Sequence, residues 1–160
     1  MVILGIDPGT AICGYGVVTK ENYRFRLVDY GAVNTPPTMA LEERLVRIYD
    51  GISLLIDKYH PDEMAVEELF FNNNAKTAIS VGQARGVILL AGAHKHIPLY
   101  EYTPLQVKQG IVGYGRADKK QIQYMVKTML NMSEIPKPDD AADALAIAIC
   151  HGQSNKNLIP

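Results

Sequence analysis

At 160 residues, 48% hydrophobic and 21% charged, the chain is sized for one globular domain, and its composition excludes intrinsic disorder. Its apolar runs fall short of the roughly 18 residues that span a bilayer, and Asp7 interrupts the first one, so neither a membrane helix nor a signal segment is read. The net charge of −1 does not mark the whole chain as a nucleic-acid binder, but the charge is segregated: residues 1–71 carry −5, residues 72–130 carry +6 and residues 131–160 carry −2. Such segregation can set a cationic surface beside an anionic pocket. Cys13 and Cys150 have no partner at zinc-ligand spacing and read as buried thiols in a reducing cytoplasm.

Val2 to Thr10 begins as an apolar run and ends in Pro8-Gly9, the pattern of a buried strand entering a turn. Cys13–Thr19 predicts a second strand, with glycines permitting close packing, and Lys20-Glu21-Asn22 a hairpin turn. Tyr23–Val33 predicts a third, with Phe25, Leu27 and Val28 inward; the three strands form an antiparallel meander. Residues 39–59 form an amphipathic helix with Leu41, Leu45, Ile48, Ile52, Leu55 and Ile56 on one face. A short strand, Glu63 to Phe71, runs into two acids and two aromatics. Of these, Phe70 is placed to stack on a base and Phe71 to pack in the core. Ala75–His94 is a helix rich in small residues, and Ile97–Tyr102 is a fifth strand on which Tyr100 and Tyr102 mainly pack. Thr103-Pro104 caps and opens another helix. After a glycine-rich bend, Asp118 opens a helix to about Leu130, with Ile122, Met125, Val126 and Met129 inward. A last helix runs from Asp140 to about His151, and the tail is polar and frayed. His60, His94, His96 and His151 read as surface or cap residues. The pattern predicts an α/β domain over residues 1–152, a mixed five-stranded sheet with helices on both faces, followed by a polar tail, 153–160.

Three acidic sites stand out. Asp7 is a lone carboxylate in a central strand, which costs several kcal/mol without a compensating partner. Glu67 and Glu68 end a short apolar strand. Asp140 and Asp143 stand three apart on one helix face, with Cβ atoms roughly 5–6 Å apart. Asp139 and Asp140 also fit the cap and first turn of a helix, and the doublets leave open whether Glu67 or Glu68, and Asp139 or Asp140, is the functional member. Four oxygen donors from three segments suit hard cations such as Mg²⁺ or Mn²⁺. Two such ions roughly 3.5–4 Å apart serve phosphodiester hydrolysis.

The ordered set Ile3-Leu4-Gly5-Ile6-Asp7-Pro8-Gly9-Thr10, Gly14-Tyr15-Gly16-Val17, Val66-Glu67, Gly82-Gln83-Ala84-Arg85-Gly86, Gln106-Val107-Lys108-Gln109 and Asp140 through Ala148 closely resembles the RuvC family of bacterial Holliday junction resolvases, from Met1 to about His151. The resemblance implies a ribonuclease H-like fold and a homodimer whose subunits each nick one strand of a four-way DNA junction in recombination and repair. It implies Mg²⁺, with Mn²⁺ able to substitute, and two ions per site. Asp7, Glu67, Asp140 and Asp143 match the metal-binding acids; Glu67 is chosen because it follows Ala65-Val66, and Asp140 because it precedes Asp143 by three. Lys108 and Lys119 match basic residues of DNA binding and catalysis, and Phe70 matches an aromatic at the junction centre. Arg85, Arg116 and Lys120 are further candidate DNA contacts. The helix around Ala75–Ala93 matches the dimer helix, and RuvA and RuvB are the implied partners. Three rival readings remain to be separated from this one. An actin-like sugar kinase or ATPase would need a second lobe. A YqgF-like nuclease would act on RNA. A junction-binding protein with a dead site would bind without cutting.

Overall fold

The computed structural model describes residues 1–69 and 75–154. Five strands, β1 (Val2–Asp7), β2 (Ile12–Glu21), β3 (Arg24–Asn34), β4 (Glu63–Glu67) and β5 (Leu99–Tyr102), form one sheet in the order β3-β2-β1-β4-β5. The first three form the expected antiparallel meander, and β4 and β5 join in parallel. The helices are α1 (Leu41–Tyr59), α2 (Ala75–His94), α3 (Pro104–Val112), α4 (Lys119–Met129) and α5 (Asp139–Gln153).

Alternation along β1 divides the core. Leu4 and Ile6 face α1 and α2, where Ile48, Ile52, Met64, Val66 and Ile88 close one cluster. Ile3, Gly5 and Asp7 face the other way, towards α5. There Leu145, Ile147 and Ile149 pack beneath Val107 and Ile111 of α3 and Ile122 and Val126 of α4. Helix α5 is buried on nearly all sides because the sheet lies under it and α3 and α4 lie over it.

The contact of α5 with the sheet is backbone-close. A Cβ at Gly5 would lie 2.2 Å from the Ala144 carbonyl oxygen, and one at Gly14 would lie 2.0 Å from that of Asp140. No residue with a side chain fits at either position. This approach fixes where the first turn of α5 meets the C-terminal end of β1.

The structure corrects several sequence expectations. Val28 is 44% exposed rather than inward, because the β2–β3 register jumps from Val17↔Asp29 to Val18↔Leu27 and leaves Val28 as the bulged residue. Leu41 sits in the first turn of α1 and is 38% exposed. His151 is not a surface residue: it is 1% exposed, paired through Nδ1 with the Tyr102 hydroxyl at 2.6 Å and through Nε2 with Glu63 at 2.6 Å. Tyr102 therefore bonds as well as packs. Pro138, not Asp139, stands at the cap of α5, whose first turn contains both Asp139 and Asp140. Helix α5 continues to Gln153, and Gly152 is buried, with Lys20 donating to its carbonyl. Phe70, Phe71 and residues 155–160 lie outside the described residues. His60 does cap α1, in the left-handed conformation.

Gly5→Ala is expected to cost about 3 kcal/mol or more in chemical denaturation, the upper range of overpacking, because the obstructing atoms are backbone. A variant as stable as the parent would show that α5 can move off the sheet.

Candidate active site

Parallel register pairs Ile6 with Val66, so Asp7 and Glu67 follow side by side at the ends of adjacent strands. Ala65 packs in the cluster on the α5 face, and alternation puts Glu67 on that same face, as it does Asp7. Gly14, opposite Asp7 on β2, admits the backbone of Asp140. Three separated segments thereby bring Asp7, Glu67, Asp140 and Asp143 to one end of the sheet.

Their electrostatics record the meeting. The Asp7 carboxyl is pushed up to about 8, by burial first and then by Glu67, Asp143 and Asp140, and it is hydrogen-bonded to Glu67. Burial also raises Glu67, reinforced by Asp143 and opposed by its bond to Asp7 and by the charge of Lys108. Asp143 is raised by burial, against the pull of Lys119. The same couplings separate the doublets. Asp140 acts on Asp7, whereas Asp139 is exposed and bonded to Lys119 Nζ at 3.2 Å, which lowers its pKa. Glu67 bonds Asp7, whereas the backbone amide of Glu68 donates to the Tyr102 carbonyl.

Lys119 spans Asp139 and, at 3.7 Å, Asp143. It occupies the first turn of α4, which Asp118 and Gln121 cap reciprocally. Thr103 and Gln106 cap α3 in the same way, and α3 carries Lys108. The two lysines line a cleft of about 340 Å³ that includes Glu67 and Asp143.

The other cationic candidates are not gathered to the acids. Arg116 and Lys120 are exposed beside the start of α4. Arg85 is turned inward: its guanidinium lies 2.6 Å from Glu101, and Nε donates to the Glu67 carbonyl at 3.2 Å. It braces the strand end that carries Glu67.

Among the described residues no three acidic, histidine or cysteine side chains stand close enough together to hold a metal ion as placed. The donor set nevertheless fits a hard divalent cation. Four carboxylates converge, and a buried acid repelled by three others is eased by positive charge placed between them. Sequence reasoning missed Asp139 as the partner of Lys119. It also missed Arg44, Lys76, Thr77 and Ser80, which line a second cleft reaching Asp140. Arg44 lies on the polar side of an amphipathic helix and gives no local signal.

The model of the family described as crossover junction endodeoxyribonuclease RuvC matches residues 3–151. The chain belongs to the RuvC family. A crossover junction endodeoxyribonuclease RuvC from Alkaliphilus oremlandii is 61% identical over 96% of this chain and 94% of its own. One from Clostridioides difficile is 60% identical over 98% and 92%. The structure of Thermus thermophilus RuvC in complex with a Holliday junction substrate superposes with a TM-score of 0.90 at 40% identity, covering 95% of this chain and 93% of that one. The fold is therefore ribonuclease H-like, as RuvC membership implied, and RuvC membership sets aside the actin-like and YqgF-like readings.

Asp7 keeps its proton to about pH 8 in the folded protein but only below its ordinary value of 3.8 when unfolded. The folded state thus binds more protons between those limits, and this contribution to stability falls as pH rises. Metal-free protein is expected to melt lower at about pH 8 than at about pH 5, with a divalent cation such as Mg²⁺ offsetting the loss and Asp7→Asn lessening both effects. Melting curves with and without Mg²⁺ check this; a metal-free Tm that rises over the interval contradicts it.

Proposed function

We propose that this chain resolves four-way DNA junctions in recombination and repair, as a homodimer whose two subunits make paired, symmetric nicks. The observation that carries the reading is the convergence of Asp7, Glu67, Asp140 and Asp143 at one sheet end in a RuvC-family chain. Comparison with the Thermus thermophilus RuvC bound to a Holliday junction substrate supports the choice of DNA. The RuvC family is metal-dependent, and here we assign the ions as two Mg²⁺, replaceable by Mn²⁺, held by the four acids. Bound there, they would supply an activated water and charge stabilisation for the leaving oxygen.

The chain's own groups do the rest. The end of β1 fixes Asp7, and α5 holds Asp140 and Asp143 on one face. Lys119, tethered between Asp139 and Asp143, stands where negative charge develops on the phosphate. Lys108 lines the same cleft beside Glu67 and acts on its charge. Arg116 and Lys120 extend the cationic edge for the DNA arms, Phe70 is assigned to the unpaired bases at the junction centre, and Arg85 acts by supporting Glu67. The +6 middle segment supplies these cations in a chain of net charge −1.

Dimerisation is assigned to α2, where Ile79 (61% exposed), Gly86 and Leu90 (48% exposed) fall on one open face. RuvA and RuvB are the assigned partners. Among the described residues no helix is long and apolar enough to cross a membrane. We place the protein in the cytoplasm with its DNA.

Cleavage of a synthetic mobile four-way junction with Mg²⁺ tests the reading against a linear duplex of the same sequence. Paired nicks in the junction alone are expected, with Asp7→Asn abolishing cleavage but keeping binding. Binding without nicks by the parent would leave only a junction-binding module. Lys119→Ala is expected to lower the cleavage rate about a hundredfold, in the range for losing one electrostatic stabiliser, and to lessen the salt dependence of binding. Unchanged kinetics across salt would make Lys119 a bystander.

A further inference from the structure

Among the described residues, two clefts reach the acid cluster. The cleft of Lys108 and Lys119 takes in Glu67 and Asp143. A second, of about 550 Å³, takes in Asp140. It lies between the β1–β2 turn, the start of α1 and the first turns of α2.

Its lining is built for an anion. Arg44 and Lys76 supply two cations, and Thr10, Thr77 and Ser80 supply hydroxyls. The groups are organised by bonds of their own. Thr10 Oγ1 and Ser80 Oγ are 2.6 Å apart and join the β1–β2 turn to α2. Thr35 Oγ1 donates to the Thr10 carbonyl and accepts from Arg44 Nε at 2.8 Å, which fixes the guanidinium at the cleft wall. The first turn of α2 contains no acid to repel an anion. Among the described residues the one carboxylate at the cleft edge is Asp140, which belongs to the proposed metal set and would be neutralised there.

We infer that this second cleft binds a backbone phosphodiester of the cleaved DNA strand, next to the scissile one. The strand would enter between Arg44 and Lys76, cross the carboxylates, and leave past Lys108 and Lys119. The acids alone repel a polyanion, and a cationic cleft on each side offsets this, with Lys119 at the reacting phosphate and Arg44 and Lys76 at the neighbouring one. The inference rests on the junction-nuclease reading and adds a subsite to it.

The test measures binding of the full chain, in a non-cleaving Asp7→Asn background, to junctions bearing single neutral methylphosphonate linkages. Arg44→Ala and Lys76→Ala are compared with the parent; Lys76 is exposed, so its variant keeps the fold even if Arg44→Ala does not. The parent is expected to lose about tenfold in affinity at one linkage of the cleaved strand beside the scissile position, and the Lys76 variant to lose nothing further there. The variant should also bind unmodified junction more weakly, with the salt slope reduced by about one. Additive losses at every linkage, a coupled linkage in the uncleaved strand, or an unchanged salt slope overturns the subsite while leaving the nuclease reading intact. A parent that does not bind junctions overturns that reading, and the subsite with it.

Discussion

The backbone of α5 rests directly on the sheet, and both the site and the core depend on that contact. Gly5 and Gly14 allow it, because each is a place where even one methyl group would collide with a carbonyl of the helix. Had the helix stood off by the usual helix-on-sheet spacing, Asp140 and Asp143 would have been carried away from Asp7 by the same amount. Close packing over β1 and assembly of the acid cluster are thus a single geometric event. The apolar remainder of α5, from Ala144 to Cys150, holds the event in place through burial between the sheet and the α3–α4 layer.

Electrostatics pull against this arrangement. Asp7 is half-buried and faces three other carboxylates, so its charged form is disfavoured where it stands. Counter-charge comes from two helices, α4 and α3. Lys119 follows a capped N-terminus and is anchored by the exposed Asp139, and Lys108 faces Glu67 from α3. The protein can therefore stay near neutral overall and still present a strongly polarised end to a nucleic acid. Local juxtaposition, not net charge, carries the field that matters at short range.

Much of this was legible in the sequence because the signals were local. The apolar periods of α1 and α4, the Thr103-Pro104 start of α3 and the lone acid in β1 each report on their own segment. The acid doublets were not locally decidable: β4 ends at Glu67 with Glu68 just beyond it, and only the packing of α5 on the Glu67 side says which acid counts. Val28 was misread because a bulge breaks the two-residue alternation without changing composition. His151 was misread because its partners, Tyr102 and Glu63, lie on two strands remote in sequence. Arg44 gave no signal at all, since its partner Thr35 sits in a loop and its cleft is assembled from three elements.

The order of the elements along the chain has its own consequence. Strands β1 to β5 and helices α1 to α4 all precede α5, yet α5 carries two of the four acids and fills the centre of one core. A polypeptide broken off before residue 139 lacks both together. Such a product would leave the apolar side of the sheet uncovered and would hold only Asp7 and Glu67 of the four acids. On the proposed assignment, competence to cut DNA would arrive only when the last helix has been synthesised, and the fold would be its own check on completeness.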